Sequence, residues 1–166
     1  MMQFMMQMSK DRPGVTYLRT PRRDLPDIYY PDEVFEEGEG KILCDGDDVT
    51  LIGCGIMVAT CLRAAQLLKD EGISARVIDI VTIKPLDETL IIDSAEKTGA
   101  IVTAENANIY GGLGSMVSDC LAQNLPTPVK HVAIEDRFGR VGVEGFLRET
   151  YGLTPENIVV KAKEVM

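Results

Sequence analysis

Four short runs of β-branched and aliphatic residues, each followed by an amphipathic stretch of helical period, set the strongest limit on how this chain can fold. "DDVTLIGCG" (47–55), "SARVIDI" (74–80), "AIVTAE" (100–105) and "VKHVAIED" (129–136) read as buried strands. "IMVATCLRAAQLLKDEG" (56–72), "DETLIIDSAEKTG" (87–99), the run opened by Gly111-Gly112-Leu113-Gly114, "VEGFLRETYG" and "TPENIVVKAKEV" read as helices. Asp87 is a candidate N-cap, and Gly72 and Gly99 stand where helices end. Strands alternating with helices of this length predict an α/β fold: a three-layer open sheet, mostly parallel, with helices on both faces.

Ahead of this alternation the pattern changes. "MMQFMMQM" predicts a helix whose methionines face a core, "GVTYLRT" (14–20) a strand, and "PRRDLPDIYYPDEVFEEGEG" (21–40) an acidic, proline-punctuated connector and domain boundary. "KILCDG" after it suits a short edge strand. With 166 residues, 45% of them hydrophobic, the chain can fill the core of one domain. A net charge of -9 argues against nucleic acid or anionic membranes as partners, since both attract clustered Lys and Arg. Cys44, Cys54, Cys61 and Cys120 lack metal-ligand spacing and read as buried thiols. No apolar run approaches the ~20 residues of a membrane span, so a soluble, cytoplasmic protein is expected.

In a parallel sheet the strand-to-helix loops collect at the carboxyl edge, where open α/β folds usually bind ligands. Three loops belong there: Gly53-Cys54-Gly55, Glu105 to Gly114, and Asp136 to Gly142. "GCGIMVA" with Asp79 ending the next strand imitates a dinucleotide fingerprint, but Val58 replaces its third glycine. Catalytic residues do not emerge. The lone His131 lies in an apolar alternation and reads as a satisfied sheet residue rather than a base, and "CDGDD" (44–48) as a turn rather than a metal loop. Glu135-Asp136-Arg137 reads as a strand-end salt-bridge cluster. The Gly111–Gly114 turn either cradles an anion or seats a helix close to the sheet, and close packing is the favoured role.

Taken in order, "GVTYLRTPR", "DDVTLIGCGIMVATCLRAAQLLKDEGISARVIDIVTIKPLD", "AENANIYGGLGSMV" and "DRFGRVG" followed by "LRETYGL" resemble the C-terminal domain of transketolases. Deoxyxylulose-phosphate synthases and the β subunits of 2-oxoacid dehydrogenases carry related domains. The resemblance assigns residues 31–166 to that domain, and residues 1–30 to the end of the preceding pyrimidine-binding domain with the start of the connector. It implies part of an enzyme of the pentose phosphate pathway that moves a two-carbon ketol unit between sugar phosphates, usually as a homodimer. Thiamine diphosphate and a divalent cation would be held elsewhere, by N-terminal domains or a separate subunit, because the family's GDG…N motif and activating glutamate are missing here. The chain alone is then inactive, supporting dimerisation and the active site, or regulating it. The resemblance also matches Arg22 to the arginine that grips the sugar phosphate, with Arg19 and Arg23 as weaker candidates, against the plainer reading of exposed connector charges. Where several transketolases carry an acidic residue and a histidine, Glu105 is followed here by Asn106 and Ala107, so proton chemistry is not expected at that loop. A stand-alone module binding an anion at the glycine-rich loops is the other reading.

Overall fold

A computed structural model describes residues 2–21 and 24–166 of the chain. It divides into two compact units, Met1–Glu36 and Glu37–Met166.

In the first unit, α1 (Met2–Asp11) forms where the methionine-rich run predicts a helix, but Met5 and Met6 are exposed rather than turned into a core. Residues 14–20 carry no regular secondary structure, and Val15 and Tyr17 stand in solvent. The strand expected there is not formed, because a strand persists only where a neighbour takes up its N–H and C=O groups. Phe35 is the buried centre of this unit, with the ring of Tyr29 edge-on at 4.8 Å and that of Phe4 at 5.9 Å.

The second unit is the expected α/β fold. Its strands are β1 (Lys41–Cys44), β2 (Val49–Gly53), β3 (Ala75–Asp79), β4 (Ile101–Asn108) and β5 (Val129–Ile134), in the order β1-β3-β2-β4-β5. The last four are parallel, and β1 closes one edge antiparallel to β3, with a bulge between Ile42 and Cys44. The helices are α2 (Met57–Asp70), α3 (Glu88–Thr98), α4 (Leu113–Asn124), α5 (Glu144–Thr150) and α6 (Pro155–Val165).

Alternation along each strand builds two cores. Leu51, Val77 and Val102 face Met57, Cys61 and Leu68 of α2 and Ile158 and Ala162 of α6. Their neighbours Ile52, Ile78 and Ile101 face Ile91 of α3 and Val117 and Leu121 of α4. Continuous apolar strands are what a sheet covered on both sides requires. Each fully buried aliphatic side chain contributes about 1.5–3 kcal/mol.

The motif "VTIKPLD" folds into a loop that holds Gly38 and Gly40. Asp79 accepts a hydrogen bond from the Val81 amide, whose residue has φ +49°, and Thr82 Oγ1 accepts from Gly38 N while donating to the Pro85 carbonyl. Asp87 caps α3 through Leu90 N at 3.0 Å, as expected, and its second oxygen accepts from Gly40 N at 2.8 Å. The "CDGDD" turn carries ion pairs: Arg76 reaches Asp45, and Lys97 reaches Asp45 at 2.8 Å and Asp47 at 3.2 Å. Four buried thiols were expected; Cys61 and Cys120 are buried and Cys54 partly so, but Cys44 is exposed. It lies on the edge strand, where alternation sends every second residue outward.

Candidate functional site

The strand order reverses beside β2: β3 lies on one side of it and β4 on the other. In doubly wound sheets a ligand crevice opens at the carboxyl ends of strands at such a point. At the carboxyl end of β4 the chain places a carboxylate of its own. Glu105, only 2% exposed, points from β4 at the start of α4, where Oε2 accepts from Leu113 N and Oε1 from Gly114 N, both at 2.9 Å. A carboxylate on free amides at a helix N-terminus is favoured by both hydrogen bonding and the helix dipole.

The glycine-rich turn therefore serves close packing and anion binding at once, and the anion is internal. A Cβ on Gly112 would lie 2.7 Å from Glu105 Cδ and overlap its Oε2. A Cβ on Gly114 would come within 2.6 Å of His131 Nδ1. Gly111 is different: it needs a positive φ of 77° but has open space around it, and its amide donates to Ser115 Oγ at 2.8 Å. These amides are thus engaged within the chain, which counts against the anion-module reading.

His131 sits behind this turn as a satisfied sheet residue, with Nδ1 2.8 Å from Thr103 Oγ1 and Nε2 3.4 Å from Ser118 Oγ. Burial pulls its pKa below the usual histidine value, and the negative charge of Glu105 opposes part of that shift. Cys54 follows β2 at the same edge and is partly buried. Burial pushes its thiol up to about 12, and the Glu105 and Asp79 carboxylates add to the shift, so it stays protonated and is a poor nucleophile.

Next along the edge, Arg137 pairs with Glu135 at 3.1 Å and Asp136 accepts from Asn108 Nδ2 at 2.9 Å, the strand-end cluster expected from the sequence. The following loop is pinned by one hydroxyl: Tyr151 donates to the Phe138 carbonyl at 2.9 Å and accepts from Arg140 N at 2.8 Å. Phe138 and Val141 are left fully exposed beside a hollow of about 490 Å3 lined by Arg137, Phe138, Gly139, Arg140, Thr150 and Tyr151. Sequence reasoning missed both the plug by Glu105 and the brace by Tyr151. The nearest available signal was an acid ending a buried strand just before a glycine-rich helix start.

Of the sequence-derived phosphate-binding candidates, Arg22 and Arg23 lie outside the described residues, and Arg19 is exposed. For thiamine diphosphate and its metal the donor set does not fit. Among the described residues no three His, Cys, Asp or Glu side chains converge, and the α4 amides suited to a diphosphate already hold Glu105.

Comparison with known proteins agrees with this architecture. Residues 38–158 match the family model described as transketolase, C-terminal domain. A 6-deoxy-6-sulfo-D-fructose transketolase subunit from a Clostridium species is 45% identical over 152 residues, covering 92% of this chain and 47% of that protein. A putative transketolase C-terminal section from Methanocaldococcus jannaschii is 43% identical over 156 residues, covering 92% of this chain and 48% of that protein. Among solved structures, a split gene transketolase described as an inactive beta4 tetramer superposes with a TM-score of 0.85 at 43% identity, covering 87% of this chain and 47% of that one. The chain thus spans about half the length of these relatives. With the matched segment covering most of the sequence and the relatives 43–45% identical over 92% of the chain, the chain belongs to the transketolase C-terminal domain family.

Proposed function

We propose that this chain is the C-terminal part of a transketolase and acts only together with polypeptide that supplies the diphosphate-binding and pyrimidine-binding domains. The carrying observation is that residues 38–158 match the family's C-terminal domain, while its relatives are about twice as long. In this reading residues 1–30 are the end of the pyrimidine-binding domain. The unpaired stretch 14–20 then becomes a strand once its neighbours are supplied. Thiamine diphosphate and a divalent cation are held by the other domains, and the reaction moves a two-carbon ketol unit between sugar phosphates in the pentose phosphate pathway. Arg22 grips the sugar phosphate through its guanidinium fork.

The assembled enzyme is a homodimer with respect to this chain, and self-association is supported by the related subunit described as a beta4 tetramer. A cytoplasmic location suits the four free cysteines.

A coupled assay with pentose phosphates, thiamine diphosphate and magnesium tests the reading. The 166-residue chain alone should form no sedoheptulose phosphate, and addition of polypeptide carrying the diphosphate-binding and pyrimidine-binding domains should start the reaction. Turnover by the chain alone would overturn the proposal.

A further inference from the structure

The segment that leads into β1 reads "EGEG" (37–40), a composition that suits a flexible coil. In the fold it is held at both glycines. Gly38 N donates to Thr82 Oγ1 at 3.0 Å, and Gly40 N to Asp87 Oδ2 at 2.8 Å. Both glycines are also required by fit. Gly38 has φ +83°, and a Cβ on it would lie 3.1 Å from Pro85 Cγ. A Cβ on Gly40 would come within 2.7 Å of Leu90 Cδ2 and 3.3 Å of the Asp79 carbonyl oxygen. One residue on, Lys41 pairs with Asp79 in the antiparallel edge of the sheet. The loop that receives the two amides is itself fixed, since Thr82 Oγ1 donates to the Pro85 carbonyl at 2.9 Å and Ile80 N to the Gly53 carbonyl at 3.1 Å. Thr82 and Asp87 thus each serve two partners, one in their own loop or helix and one in the connector.

We propose that Thr82 and Asp87 form a clamp that orders residues 37–40 in advance, so that the connector leaves the α/β domain along one path and the chain meets the other transketolase domains already arranged for assembly. The two side chains are positioning residues. The inference rests on the proposed function above, in which residues 1–30 complete the pyrimidine-binding domain while the α/β domain joins the same enzyme. Where two binding segments are joined by a free coil, making the second contact requires the coil to be ordered at that moment. A link fixed beforehand removes that cost and raises the effective concentration of the second segment. The glycines of the connector therefore serve close fit rather than swivelling, and the affinity of the whole chain depends on two side chains some forty residues further along.

Two variants open the clamp while sparing the fold. Thr82→Val removes the hydroxyl at nearly constant volume, and Asp87→Ser keeps a helix cap for α3 but loses the second oxygen that holds Gly40. Amide hydrogen exchange of the 166-residue chain, with thermal melts alongside, should show Gly38 exchanging at least about tenfold faster in Thr82→Val and Gly40 likewise in Asp87→Ser, with β2 and β4 unchanged. Each variant is then titrated into polypeptide carrying the thiamine diphosphate domains. The half-saturating concentration should rise about tenfold while the rate of ketol transfer at saturation stays the same, and Thr82→Ser, which keeps the hydroxyl, should behave as the unaltered chain. Where Asp87→Ser lowers the melting temperature sharply, the Thr82 pair decides alone. Unchanged exchange at both glycines overturns the clamp. Faster exchange with unchanged half-saturation overturns its role in assembly, as does a Thr82→Ser chain impaired as much as Thr82→Val. An unaltered chain that does not bind the polypeptide at all overturns the proposed function and the assembly role together, and the exchange of Gly38 and Gly40 still decides whether the clamp exists.

Discussion

At the scale of single residues, Glu105 and the glycines facing it carry the clearest energetic consequence. Gly112→Ala forces a methyl group into the Glu105 carboxylate and should destabilise the fold by about 2–4 kcal/mol. Gly111→Ala meets no atoms and costs only the strain of its positive φ, about 1 kcal/mol. Urea denaturation distinguishes the two, and in a Glu105→Ala background the Gly112→Ala penalty should shrink, since the clashing group is gone. Equal costs at both positions would contradict the plugged-crevice geometry. Arg22 makes a separate residue-scale prediction in the assembled enzyme. If it grips the sugar phosphate, Arg22→Ala removes a charge-assisted pair and should raise KM for phosphorylated acceptors roughly ten- to a hundredfold, leaving kcat nearly intact. Arg22→Lys should recover only part of that loss. Equal losses for phosphorylated and unphosphorylated acceptors would remove Arg22 from the site. The partnership of Glu105 with residues 113 and 114 was not legible in the sequence, because it depends on β4 running on to Asn108 before the chain turns back.

Among the elements, those with a periodic apolar face were legible and those defined by their neighbours were not. β2, β3 and their helices follow from runs such as "VTLIG" and "ARVID", fully buried on both faces. The stretch 14–20 has strand chemistry but no partner in the described structure, and Met5 and Met6 of α1 have helix chemistry but are exposed. Such segments reveal their state only through what lies beside them. The contact of β5 with α4 gives a pH-dependent prediction. His131 is held with its pKa lowered, chiefly by burial, so the folded state prefers neutral imidazole. Its contribution to stability is complete above the unfolded value of about 6.5 and is lost as pH falls through that value toward the folded one. As the chain has a single histidine, its proton resonance can be followed by NMR without assignment. A midpoint below about 6.5 in the folded protein, moving to that value on unfolding, is expected. A folded midpoint above it would mean that the charge of Glu105, not burial, dominates the site.

For the molecule as a whole, the family and the layered fold were legible because ordered motifs span nearly the whole chain. The apolar loop after β5 was not, since exposure of Phe138 and Val141 appears only once the β5–α5 loop is built. The central claim is that this chain is an obligate part of a ketol-transferring enzyme. It is tested most directly by titrating the chain into a fixed amount of the protein carrying the thiamine diphosphate domains and measuring the initial rate of ketol transfer. The rate should start at zero, rise linearly, and break to a plateau at one chain per partner. A partner that is fully active before any chain is added, or a rate that rises with the chain alone and shows no break, would contradict the account.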